Sequence, residues 1–316
     1  MRIKNFLKNS ILLSIIIGIS AFFYHNQEYL NILSSIDPLG LIILLITLTV
    51  FFYITGLTFS LLLRPLKVSL TFSELMGLAF MGNIANYIAP FSPGFLAKGI
   101  FLKIEKGLNL TKYSSAVASN AFLLLSVTSF SGVVITFLNP QIQEFWYLVL
   151  ASSFVFLLSS VLFLRGSLLV IILPISFIRD AVTQISTGLE LISNDKENLI
   201  KVIFTMLLQI IFSSLLMFQL FLIIDQPIGF NAAFLIAIFT ILSNFFSITP
   251  GNIGIQEIVM AFLSTIYGSD FGHGLLVGSI LRAAHIFITF SLGSLFFLKS
   301  LKTFFAIEPV TFVVAD

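Results

Sequence analysis

The sequence has no cysteine, three histidines, one tryptophan and few charges, with Asp, Glu, Lys and Arg making up 9% of its 316 residues. Without cysteine there is no disulfide, no thiolate nucleophile and no Cys-based metal site, and the redox compartment is left unspecified. His25, His273 and His285 are too few to build a histidine-rich metal centre. Soluble domains are about 25% charged. Sixteen basic and fourteen acidic residues cannot clothe a water-facing surface for this chain. The net charge of +2 provides no clustered Lys and Arg for a phosphate backbone, so nucleic acid is excluded as a partner. No Gly-rich nucleotide loop, serine-nucleophile elbow or paired-carboxylate motif occurs. The expectation is a protein that is not an enzyme and needs neither cofactor nor metal.

Apolar mass is what the sequence does contain: hydrophobic residues reach 58%, 37 of them phenylalanine. Lipid is the solvent such a chain needs. A helix crosses a hydrocarbon core about 30 Å thick with about 20 apolar residues. Charge-free stretches at about 11–24, 39–63, 113–138, 145–164, 202–224 and 275–298 predict spanning helices. The first follows Arg2, Lys4 and Lys8 but has no small-x-small cleavage site after it, so it reads as a retained anchor. Trp146 with Tyr147 is an interfacial anchor.

Basic residues orient these spans, because they accumulate on the cytoplasmic side. With the amino terminus inside, every Lys and Arg except Arg282 falls in a cytoplasmic segment, and the outer loops carry Glu28, Asp37, Glu144, Asp225 and Asp270. The reading is a multi-pass protein of a bacterial-type inner membrane with both termini cytoplasmic. Parity then requires about 72–112 to begin and end inside, and about 227–270 to begin and end outside. Each is interrupted at its middle, the first by Pro90, Pro93 and Gly94, the second by Pro250, Gly251 and Gly254. Proline removes a helix donor and glycine takes non-helical angles, so both stretches predict helix–break–helix hairpins. The second arms are short or charged, which favours re-entrant hairpins over full crossings.

Asn86 lies seven residues before Pro93-Gly94 and Asn244 six before Pro250-Gly251. Broken helices at matching positions, entered from opposite sides, are the mark of an inverted-repeat transport protein. The fold class is therefore all-α: one polytopic membrane bundle over 1–302, with six spans and two opposed hairpins, and a short cytoplasmic tail at 303–316. Between them, about 166–198 is a cytoplasmic segment. Ile178, Val182, Ile185, Leu189 and Ile192 there recur at helical spacing among polar residues, and predict an amphipathic helix covering the inner face of the bundle.

Charges inside a span cost roughly 2.5–3.5 kcal/mol and face a cavity or one another. Glu257 stands a few residues past the second break and Arg282 within the last span. Their expected role is to meet inside the bundle and bind or gate a polar head group, against the alternative of a purely structural ion pair. Lys98 is the cation nearest the first break and a candidate for phosphate. Asn83, Asn86 and Asn244 are placed to satisfy backbone groups freed at the breaks, and Asn86, Asn244 and Asn252 are further ligand candidates. Glu28 and Asp37 read as solvated loop acids.

At the two breaks the sequence resembles the flippase-like family typified by the transmembrane region of lysylphosphatidylglycerol synthase. The matching elements are Asn86-Tyr87-Ile88-Ala89-Pro90-Phe91-Ser92-Pro93-Gly94 leading into Lys98 and Lys103, then Thr249-Pro250-Gly251-Asn252-Ile253-Gly254-Ile255-Gln256-Glu257, then Arg282 with Gly293. Asn252 stands where the family pattern has glycine, and Ser119 and Asn120 replace a frequent Glu-Arg pair. The resemblance implies movement of an anionic lipid or polyprenyl-linked head group between leaflets, without the aminoacyl transfer of relatives that carry a soluble catalytic domain. The alternative is a non-transporting partner of an envelope glycan- or lipid-synthesising enzyme. Substrate, direction, energy source and oligomeric state are not written in the residues.

Overall fold

The computed structural model describes residues 17–88, 93–138, 176–246 and 249–305. Among these residues the chain is helical, with no strand. A helical stretch at 17–25 leads into α1 (Gln27–Ser35), α2 (Pro38–Leu63), α3 (Phe72–Ile88), α4 (Gly94–Lys106) and α5 (Leu110–Leu138). After the second described stretch come α6 (Ser176–Ser193), α7 (Lys196–Ile223), α8 (Phe230–Ser243), α9 (Ile255–Ile266) and α10 (Phe271–Phe305).

Four helical segments are long and apolar enough to cross a membrane: Pro38–Leu66, Leu110–Leu138, Lys196–Ile223 and Phe271–Phe296. They correspond to four of the six expected spans. The span at 145–164 lies outside the described residues, as does most of the first, at 11–24. The surface confirms the solvent. Ile46, Phe137, Phe204 and Phe287 are 59%, 72%, 59% and 57% exposed, an arrangement water would penalise and acyl chains favour.

Local chemistry fixes the element ends. Pro38 opens α2 and the Asp37 carboxylate accepts from the N–H groups of Leu39 and Gly40, covering donors that have no helical partner. Asp195 does the same for Asn198 at the start of α7. The expected amphipathic segment is therefore cut at its end: α6 stops at Ser193 and the next helix begins at Lys196. The apolar face of α6, with Val182, Leu189 and Ile192 buried, packs on α5 and α7, and the Ser119 hydroxyl donates to the Ile185 carbonyl 3.0 Å away.

Around α7 the bundle is tied by carboxamides. Asn198 donates to the Leu61 carbonyl (3.0 Å), Gln209 to the Thr58 hydroxyl (2.5 Å) and Gln219 to the Thr47 hydroxyl (3.1 Å). These bonds run α7 antiparallel to α2. The main core lies between them and α3, α8, α9 and α10, where Phe52, Phe80, Met217, Phe221, Ile236 and Leu276 are buried together.

Among the described residues both interrupted stretches carry a helix on each side of the interruption. In the second, α8 and α9 have 14 and 12 residues, about 21 and 18 Å at 1.5 Å per residue, short of a 30 Å core. In the first, α3 has 17 residues and α4 has 13, about 26 and 20 Å. The arms within each hairpin pack on one another, and α3 and α9 both pack on α10.

Candidate functional site

The second break is a compact turn. Asn252 N–H reaches the Thr249 carbonyl (3.0 Å), Ile253 N–H reaches that of Pro250 (3.2 Å), and the Thr249 hydroxyl donates to the Ile253 carbonyl (2.8 Å). Gly251 and Asn252 both take left-handed backbone angles, with φ of 59° and 58°. This explains why asparagine serves where the family pattern has glycine, because Asn enters that region more readily than other side-chain-bearing residues. At Gly251 the requirement is doubled. A Cβ there would lie 2.4 Å from the Tyr87 ring, so the end of α3 rests directly on the turn.

Glu257 sits in the first turn of α9 and is 3% exposed. One carboxylate oxygen accepts from the Gly254 N–H at 2.7 Å, capping the helix; the other accepts from Arg282 Nε at 2.7 Å. Arg282 reaches across from α10 and grips the turn. Its Nη1 donates to the Gly251 carbonyl (2.5 Å), and its Nη2 to the Asn252 carbonyl (3.2 Å) and Gln256 Oε1 (2.8 Å), while its guanidinium lies over the Tyr87 ring. Gln256 passes the chain on, donating to Asn244 Oδ1 at 2.6 Å. The close approach of α9 to α10 that allows this needs Gly278, where a Cβ would stand 2.9 Å from the Glu257 backbone.

At the first break, Pro90 lies outside the described residues. Pro93 precedes α4, and Gly94 opens it with its N–H donating to Asn86 Oδ1 at 2.8 Å. Asn86 thus performs the backbone task expected of it. Asn83 does not: its amide donates to the Ala79 carbonyl of its own helix (3.0 Å). Asn244 meets the Gln256 side chain, and Asn252 donates to the Ser243 carbonyl at 3.2 Å.

The end of α3 and the second break meet at one cavity of about 260 Å³. Carboxamides of Asn83, Asn86, Gln209, Asn244, Asn252 and Gln256 line it. So do the hydroxyls of Thr55, Ser213, Thr240 and Thr249, the rings of Phe51, Phe52 and Tyr87, and His285 beside Arg282. Of the expected site residues, Arg282, Asn86, Asn244 and Asn252 face this space, and Glu257 stands behind Arg282. Lys98 is elsewhere, its ammonium 5.0 Å from the centre of the Phe59 ring and its stem against Gly82. Lys106, at the end of α4, pairs with Glu74 at 2.6 Å. Among the described residues no three His, Asp or Glu side chains converge as a metal ion would require.

Several cavity residues were not singled out from the sequence. Gln209 carried a signal, being a carboxamide in the middle of an otherwise apolar span, and so did His285, one turn beyond Arg282. Ser213 and Thr240 carried none, since isolated hydroxyls are common in membrane helices and bond to their own backbone.

Comparison with curated proteins and with solved structures finds no match. The family description "Lysylphosphatidylglycerol synthase TM region" matches residues 10–293, a range that includes both breaks, the buried ion pair and the cavity. The chain is a multi-pass membrane protein and belongs to the lysylphosphatidylglycerol synthase transmembrane-region family.

Proposed function

We propose that this protein moves a lipid head group between the leaflets of a bacterial-type inner membrane, acting as a flippase without chemistry of its own. The family ties the chain to lipid handling. The observation that carries the transport reading is the polar cavity at the meeting point of two broken helices, walled by apolar spans whose outer faces suit lipid. Half-helices that stop inside a bundle expose backbone groups and leave room for a ligand, the arrangement on which many transporters place their sites. A head group occupies the cavity while its acyl chains stay outside.

In this reading the topology has six spans, both termini cytoplasmic, with α3–α4 re-entrant from the inside and α8–α9 from the outside. Packing supports the pairing of ends. Tyr29 stacks edge-on against His273 at 5.2 Å, joining two segments assigned to the outer side, and Asn198 bonds to Leu61, joining two assigned to the inner side. Arg282 lies 11 residues into α10, about 17 Å from its start and close to the middle of a 30 Å core. The substrate is a membrane lipid, phospholipid, glycolipid or polyprenyl-linked, supplied by envelope lipid or glycan synthesis.

Purified protein reconstituted into phosphatidylcholine vesicles with fluorescent lipids tests this. Inward-facing label becomes accessible to dithionite if the protein moves lipid. Protection equal to that of empty vesicles for every phospholipid, glycolipid and polyprenyl-linked lipid tried defeats the transport reading and leaves that of a non-transporting partner.

A further inference from the structure

The geometry points to a neutral, hydroxyl-rich head group, a glycosyl lipid, as the occupant of the cavity, rather than a head group recognised through its phosphate. This rests on the transport reading above and names its substrate class. The ordinary expectation for an arginine in such a place is an anion clamp. Arg282 is not available for that. A guanidinium has five N–H groups. Four are engaged by Glu257, Gly251, Asn252 and Gln256, and its charge is matched by the Glu257 carboxylate at 2.7 Å. Glu257 and Arg282 are positioning residues: they hold the second break against α10 and shape the cavity wall.

Among the described residues no other Lys, Arg, Asp or Glu lines the cavity, and Lys98 points to Phe59 instead. An anion entering would shed water and meet no uncompensated cation, a costly exchange in a low-dielectric interior. The neutral groups in the wall both donate and accept. Gln209 gives one amide hydrogen to Thr58, Asn83 one to Ala79 and Asn252 one to Ser243, so each keeps a side-chain carbonyl as an acceptor beside its second N–H. The Asn252 oxygen is buried and has no donor. Ionised phosphate offers acceptors only, which cannot satisfy such oxygens. Hydroxyls donate as well as accept, and can satisfy both kinds of group. Phe51, Phe52 and Tyr87 add ring faces, electron-rich and suited to the C–H face of a sugar. The volume, about 260 Å³, is below the roughly 300–1,000 Å³ of sites that engulf whole small molecules, and fits a head group alone.

The test compares galactosyl-diacylglycerol with phosphatidic acid, both carrying the same fluorescent acyl chain, in phosphatidylcholine vesicles containing the full chain. Alongside, native mass spectrometry measures which of the two stays bound to the purified protein. The galactolipid is expected to cross faster and to be retained in preference. Asn83→Leu, which keeps the volume and removes the acceptor, should lower that retention about three- to tenfold, the effect of one lost neutral hydrogen bond. Thr240→Val replaces it if that variant fails to fold. Transport of phosphatidic acid as fast as galactolipid, or its preferred retention, overturns the substrate class and leaves transport standing. Galactolipid retained but not moved supports the class and defeats transport. Retention of neither overturns the class.

Discussion

Replacing Glu257 with Gln leaves nearly the same shape and still offers an oxygen to the Gly254 N–H, but deletes the carboxylate that pairs with Arg282. Arg282 cannot relax into water, because its side chain is 12% exposed and four of its N–H groups are held by the second break and the first turn of α9. Breaking one partner of a buried ion pair costs about 3–5 kcal/mol. At roughly 2–4 °C per kcal/mol for domains of 150–250 residues, the melting temperature of the detergent-solubilised protein should fall on the order of 10 °C. Lipid movement should fall with it, since the break is one wall of the cavity. The double variant Glu257→Gln with Arg282→Gln has no orphaned charge and should recover part of the lost stability, while movement stays impaired because the clamp is gone. Scanning fluorimetry and vesicle transport read both quantities. An unchanged melting temperature in the single variant, or a double variant less stable than the sum of the two single effects, refutes the reasoning.

Gly251→Ala should destabilise by about 1–2 kcal/mol for its left-handed backbone, with a further loss from collision with Tyr87, again read by melting. Gly278→Ala places a methyl group 2.9 Å from the Glu257 backbone and should cost about 1–3 kcal/mol by prising α9 from α10, with the Arg282 clamp loosened and transport reduced. Gln209→Leu removes the bond to Thr58 and should cost about 0.6–1.7 kcal/mol, the range for hydrogen bonds between membrane helices. The absence of native cysteine makes topology directly testable. In intact cells, Ser34→Cys should react with an impermeant maleimide and Asn194→Cys should not; the reverse pattern inverts the orientation.

The elements of this fold that follow a strong physical demand were legible in the sequence. Four spans announce themselves because a run of some 20 apolar residues has few other uses. The helix breaks follow from Pro93-Gly94 and Pro250-Gly251, and the meeting of Glu257 with Arg282 from the cost of leaving either alone in hydrocarbon. The Asn252 substitution for glycine is explained by a backbone angle that no spacing argument contains. What else Arg282 touches was not legible: Gly251 and Asn252 belong to the second break and Gln256 to α9, all placed by how α9 packs on α10 through Gly278. Lys98 looked like a partner of the site because it follows the first break, but its position on α4 turns it to Phe59. The cavity itself draws on several helices; of its residues not singled out from the sequence, only Gln209 and His285 carried a signal, as polar groups misplaced in apolar surroundings. Hydroxyls such as Ser213 become meaningful only once the helices are assembled.

The central claim is that a hydrated polar chamber sits within the membrane where the end of α3 meets the second break. Ser213→Cys, buried in α7 and lining that chamber, tests it in a chain with no other thiol, with lipid-facing Phe204→Cys as control. A small, neutral, hydrophilic thiol reagent should modify the cysteine at 213 in reconstituted vesicles, be slowed by the transported lipid, and leave the cysteine at 204 unmodified. A cysteine at 213 as inert as the one at 204 contradicts the claim.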